Sequence, residues 1–217
     1  MTPPCRGPES FPDWFVDFDR RLEGVSGTDL ARFTPPAGAS LRSSAVLILF
    51  GEEVPDRPDV LLIERAADMR SHAGQPAFPG GKADPEDDSP VQTALREAQE
   101  ETGLDPSGVH VVRSLPDLYL PPSGFTVTPV LGYWCRPVQV RAMDPAEVAR
   151  VARVPVQDLV DPERRVTVVH PSGFRGPGFE VADMLVWGFT ALLLDRLLEI
   201  GGWARPWSRD RTAEVSW

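Results

Sequence analysis

Cysteine is scarce in this 217-residue chain: there are two, Cys5 and Cys135, and neither belongs to a CxxC or Cys/His spacing. That excludes a cysteine-based zinc site and offers no disulfide framework, so a reduced, cytoplasmic setting is expected. Positive charge is also short. The 22 Lys and Arg against 32 Asp and Glu leave a formal net charge of -10 at pH 7. A phosphate backbone needs a cationic surface, which excludes nucleic acid as a general partner. Long apolar runs are missing too. The longest uncharged apolar stretch, residues 184–194, is followed by Asp195, Arg196 and Glu199 and is too short to span a bilayer. The opening MTPPCRGPES has neither the charged nor the apolar region of a secretory leader. Neither membrane nor export is therefore expected. The 24 Pro and 18 Gly are scattered, with no period that would mark a solenoid or a collagen-like array.

What remains is an ordinary globular composition, 41% hydrophobic and 25% charged, in a chain long enough to bury one large core. The organisation reads as an N-terminal helix and linker over residues 1–40, a main domain over 41–201 and a tail over 202–217. Phe11, Phe15, Phe18 and Leu22 recur at helical spacing with Pro12 near the start. Apolar runs at 44–50 and 60–63 flank the turn-like GEEVPDRPD and predict a hairpin. A helix is expected over Pro90–Thr102, strands at 109–113 and 126–134, a second hairpin from 166–170 and 179–181, and a last helix over 185–200 ending at Gly201. The segment VARVPVQDLV mixes strand and helix signals. Strands at both ends of the sequence with helices between and after them predict an α/β fold, a mixed sheet in an α/β/α sandwich. Trp203, Trp207 and Trp217 make the tail aromatic, suited to packing on its own domain or on a partner subunit. Monomer and homodimer both remain open.

The chemistry sits in GGKADPEDDSPVQTALREAQEETGL, residues 80–104. Ser89 can cap the helix, Pro90 can occupy its first turn, and Gly103 stops it. At 100° per residue Val91, Ala94, Leu95, Ala98 and Thr102 share one face, and Glu97, Glu100 and Glu101 share another. A solvated acidic face is one reading. The other is a metal site, because carboxylates at i, i+3 and i+4 repel and the last helical turn disfavours negative charge. Only Arg96 offers local compensation, and a divalent cation would relieve the repulsion. Magnesium binds through one or two carboxylates plus substrate phosphate oxygens.

The run Arg96 to Leu104, REAQEETGL, resembles the second half of the Nudix box, G-x5-E-x7-R-E-U-x-E-E-x-G-U, where U is bulky and aliphatic. Every charged position of that half is present, and Ala98 is smaller than usual. In the first half, counting back from Arg96 puts Asp88 where the box has glutamate and Lys82 where it has glycine, so the loop is one residue longer. Asp87 and Asp88 are expected to form a solvated turn that complements the helix N-terminus. The resemblance implies Mg2+ or Mn2+ held by Glu97, Glu101 and Glu100. It also implies catalytic roles for Glu100, Glu101 and Arg96. The general base is expected from Glu100 on the helix, so that Glu100→Gln would cost much of the rate and Glu147→Gln little; the distant Glu147 is the alternative and by itself reads as a solvated loop glutamate.

Upstream, LLIERAADMRSHAGQPAFPGG over residues 61–81 resembles the signature of the coenzyme A pyrophosphatase branch, L-L-T-x-R-[SA]-x3-R-x3-G-x3-F-P-G-G, with Ile63 in place of threonine. Arg65 and Arg70 carry planar forks suited to phosphate, or they pair with Glu64, Asp68 or a box glutamate. Gly80 and Gly81 permit close backbone approach. The resemblance implies a small-molecule pyrophosphate substrate bound by Arg65, Arg70, Gly80 and Gly81, with coenzyme A first in line. ADP-ribose, a dinucleotide, a nucleotide sugar, or a silent nucleotide-sensing module are the alternatives.

Overall fold

The computed structural model describes residues 11–30, 41–67, 73–120 and 124–215. Its elements in chain order are α1 (Asp13–Arg21), α2 (Gly27–Leu30), β1 (Arg42–Val54), β2 (Arg57–Arg65), β3 (Pro76–Ala77), β4 (Gly80–Lys82), α3 (Pro90–Thr102), β5 (Val109–Ser114), β6 (Leu118–Leu120), β7 (Phe125–Trp134), β8 (Val148–Pro155), α4 (Val156–Leu159), β9 (Arg165–Val169), β10 (Arg175–Val181), β11 (Met184–Val186), α5 (Gly188–Ile200) and β12 (Thr212–Glu214).

The apolar run in β1 makes it the centre of an eight-stranded sheet whose spine runs β3-β2-β1-β7-β5. Side chains alternate across a strand, so Ala45, Leu47 and Leu49 meet Ala94, Ala98 and Leu104 on the α3 side. Ile48 and Phe50 meet Phe15, Phe18 and the leucines of α5 on the other. A strand covered on both faces reads as a continuous apolar run. The sheet is mixed, because β1 pairs antiparallel with β2 and β4 but parallel with β7. This is the expected α/β/α sandwich. A second sheet, β11-β10-β9-β12, carries the C-terminal strand parallel to β9.

Local differences from the sequence reading have physical causes. The β1–β2 strands run through most of GEEVPDRPD, and the reversal is confined to a tight turn at Pro55-Asp56, with Asp56 at φ 60°. The last helix begins at Gly188, not 185. Ala182 and Asp183 at φ 49° and 56° make a tight hairpin turn, and residues 184–186 pair with β10 before the chain breaks at Gly188, φ 66°. In VARVPVQDLV, Pro155 separates β8 from α4. Cys135 carries no free thiol, whereas the sequence predicts no disulfide; Cys5 lies outside the described residues. Trp203 packs on its own domain, 4.8 Å from Phe18 and 5.8 Å from Trp14 between ring centroids. Among the described residues no helix is long and apolar enough to cross a membrane.

Candidate functional site

Helix α3 forms where expected and with the expected ends. Ser89 accepts a hydrogen bond from the Gln92 amide, Pro90 opens the helix, and Gly103 closes it at φ 71°. Its apolar face is buried against β1, which fixes the direction in which its carboxylates point.

These carboxylates do not form one solvated face. Glu101 is buried, with 6% of its side chain exposed, Glu97 is 19% exposed and Glu100 is 59% exposed. Glu101 reaches back to the FPGG segment: its Oε2 accepts from the Gly80 amide at 2.9 Å, and its Oε1 lies 3.7 Å from Arg65 Nη1. The two stretches that carry the family resemblance thus meet at one carboxylate. Arg65 takes the ion-pair alternative with a box glutamate, while its Nε is buried without a hydrogen-bond partner. A Cβ on Gly81 would sit 2.5 Å from the carboxyl carbon of Glu97, so the absence of a side chain there makes room for the acid. Phe78 anchors the segment in the core, and Pro79 accepts from the Leu47 amide at 2.8 Å.

Burial pushes Glu101 up to about 7; the Gly80 amide and Arg65 oppose the rise, and the charges of Glu97 and Glu147 add to it. Glu97 is raised as well, first by burial and in spite of Arg96. A buried acid and a half-buried one, both with raised proton affinity, beside a third charge from the loop, form a site short of positive charge. That fits a divalent cation, whose binding displaces protons. Among the described residues no three His, Cys, Asp or Glu side chains close into a full ligand set. Magnesium takes one or two carboxylates and completes its octahedron with water and phosphate oxygens, so Glu97 and Glu101 suffice. Glu100 does not complete a three-carboxylate cluster, because it turns to Arg96 Nη1 at 3.0 Å.

Arg96 is the hub of the loop before the helix. Its Nε and Nη2 hold both oxygens of Asp87 at 3.1 and 3.0 Å, Nη2 donates to the Lys82 carbonyl, and Nη1 meets Glu97 at 3.1 Å. Asp87 also accepts from the Thr93 hydroxyl and the Asp84 amide. Its side chain is 3% exposed, which corrects the expectation of a solvated turn; Asp88, which is exposed, fits that reading. Asp87 is the residue that sequence reasoning missed. Its one signal was an acid in a tight loop preceding a helix arginine, and the one-residue insertion hid the register. The Arg96 contacts hold Asp87 well below the usual carboxylate range.

The matched family model, described as NUDIX domain, covers residues 40–171. The chain belongs to the Nudix family. It is therefore a Nudix hydrolase acting on a small-molecule pyrophosphate substrate, and the family generally uses a divalent metal such as Mg2+. Similar relatives include the proteins named Uncharacterized Nudix hydrolase NudL of Yersinia enterocolitica, 35% identical over 76% of this chain and 85% of that one, and of Yersinia pestis, 37% identical over 65% and 72%. A Nudix hydrolase from M. smegmatis, RenU, aligns over 74% of this chain and 86% of that one at 22% identity and a TM-score of 0.49.

The Nudix site predicts opposite pH responses from its two kinds of acid. A folded pKa raised above the unfolded one gives stability that is full below the unfolded value, near 4.5, and is lost as pH rises through about 7. Glu101→Gln is expected to flatten that loss in metal-free protein. Asp87, depressed in the fold, contributes stability above its ordinary 3.8 that is lost as pH falls through its lowered folded value. Asp87→Asn is expected to lower the urea midpoint at pH 7 and to shrink the acid-side loss. Urea melts in EDTA from pH 3 to 8 check both signs; a Glu101→Gln curve parallel to wild type would refute the first. Arg70 and His72 lie outside the described residues, as does Trp217. His110 packs edge-on against Phe11, away from α3.

Proposed function

We propose that this Nudix hydrolase cleaves the pyrophosphate of coenzyme A or an acyl derivative, giving 3',5'-ADP and 4'-phosphopantetheine or its acyl form. The observation that supports the reading is the contact of Glu101 with both Arg65 and Gly80. Through it the coenzyme A signature and the metal-binding helix share one site. Glu97 and Glu101 would hold the ion, which would supply neutralisation of phosphate charge and activation of the attacking water. Arg65, with about a quarter of its side chain exposed, presents the open part of its guanidinium to a phosphate. Gly80 and Gly81 act through the two acids: the Gly80 amide donates to Glu101, and the missing side chain of Gly81 leaves room for Glu97. Arg96 holds the loop and Glu97 in place without touching substrate.

Glu147 is the better source of the base. It is exposed, and its charge acts on Glu101, whereas the Glu100 carboxylate is bound by Arg96. Glu147→Gln is expected to lower kcat by about a hundredfold or more, one general-base contribution, at unchanged magnesium requirement. Glu100→Gln is expected to lose less than about tenfold. A magnesium titration of both variants decides; the reverse ranking assigns the base to the helix.

A magnesium-dependent hydrolysis screen over coenzyme A, 3'-dephospho-coenzyme A, ADP-ribose, NADH and nucleoside triphosphates, with products identified by mass, tests the substrate. Coenzyme A is expected to show the highest kcat/KM. Faster turnover of ADP-ribose or NADH would overturn the assignment, and no turnover of any would favour a sensing module.

A further inference from the structure

The tail borders an open, solvent-facing cavity of about 370 Å³ that has no residue in common with the carboxylate site. Its wall includes Arg165, Arg205, Arg209, Trp207, Asp195 and Glu199. In a protein of net charge -10 this wall carries three guanidiniums against two carboxylates, and both carboxylates are already engaged. Asp195 accepts from Arg165, and Glu199 accepts from Arg196. Among the described residues neither Arg205 nor Arg209 has a carboxylate partner.

Arg165 is the unusual member. It is 2% exposed and stands over two rings, its Cζ 4.2 Å from the centroid of Phe179 and 4.5 Å from that of Trp207. Its Nε is buried with no hydrogen-bond partner. Arg209 also lies over Trp207, at 5.0 Å. A buried cation is stabilised by a full set of acceptors, and this one has a single carboxylate while two further cations stand at the rim. Burial and the neighbouring charge of Arg209 lower its proton affinity, against the pull of Asp195.

We propose that this cavity binds a phosphate ester of mononucleotide size. Guanidinium forks match phosphate oxygens. The volume falls in the range of small-molecule sites, ~300–1,000 Å³, and exceeds the needs of a lone phosphate. Trp207 supplies an apolar wall for the organic part.

The test is calorimetric titration of the full chain in EDTA with two probes, AMP and inorganic phosphate. AMP is expected to bind saturably and more tightly than phosphate. Arg205→Ala and Arg209→Ala, both at exposed positions, are each expected to weaken AMP by about tenfold, the value of one charged hydrogen bond, with coenzyme A hydrolysis rates unchanged. Three results would each overturn the proposal: no saturable AMP binding up to about 10 mM, phosphate binding as tightly as AMP, or AMP affinity unchanged in both variants.

Discussion

Replacing Glu101 with glutamine is expected to lower kcat by about a thousandfold, the equivalent of roughly 4 kcal/mol of metal-assisted charge stabilisation, and to raise the magnesium requirement. The substitution keeps the shape of the side chain, so the new carboxamide can still accept from the Gly80 amide through its carbonyl oxygen. The charge that a cation needs is gone. The fold is expected to survive, because at pH above 7 the wild-type carboxylate is itself a cost of burial. Glu97→Gln is expected to act in the same direction, and less strongly, since Glu97 is the more exposed acid. Kinetics over a magnesium series, with circular dichroism as the control for folding, check this; turnover within tenfold of wild type at saturating magnesium would remove Glu101 from the metal site.

The second large effect is expected from one methyl group placed at adjacent positions. At Gly80 a Cβ would lie 2.3 Å from the Ala45 carbonyl oxygen and 2.6 Å from the Val46 Cα, with φ at 155°. These are backbone atoms of the central strand, and they cannot yield without breaking the β1–β4 pairing. Gly80→Ala is therefore expected to lose about 3 kcal/mol of stability or more, at the upper end of overpacking costs. At Gly81 the atoms in the way are the far end of the Glu97 side chain, 2.5 to 2.6 Å off. A flexible carboxylate moves aside at small cost, so Gly81→Ala is expected to stay within about 1 kcal/mol of wild type. Displacing a reacting group by about 1 Å can cost a hundredfold, and kcat is expected to fall on that order. Urea melts and rates on the pair separate the two outcomes. Equal stability loss at both positions would show that Glu97 is rigidly held.

The sequence made α3 readable to the residue, because Ser89, Pro90 and Gly103 are local signals and its periodicity is uninterrupted over three turns. The apolar run of β1 was equally plain, although its alternation between two cores shows only once helices cover both faces. Glu101 could be placed on the right face of the helix but not at the right depth. Its burial depends on the FPGG segment folding over it, a contact between residues 21 apart. Asp87 looked like any loop acid, since its role lies in the arginine it meets. Glu147 had no motif at all, and it comes near Glu101 through long-range pairing, of β8 with β2 and of the Met143 amide with the Glu101 carbonyl. The start of α5 was misplaced because Met184 to Val186 are as compatible with an apolar helix as with a buried strand. The turn that decides between them uses left-handed Ala182 and Asp183, neither of which announces it.

The parallel pairing of β1 with β7 sets the order in which this molecule can fold. The β1–β2 hairpin is local and forms on a scale of about 1–10 μs. Its other neighbour arrives from far along the chain, as the bond from Ser44 Oγ to the Thr126 carbonyl spans 82 residues. Closing so long a loop costs entropy before any contact offsets it, and chains dominated by such pairings fold slowly, in milliseconds to seconds. Helix α3, with Glu97 and the buried Glu101, lies inside that loop. A refolding chain will therefore recover far-ultraviolet signal before it recovers catalysis, and the return of activity will keep time with the slow closure of β7 onto β1.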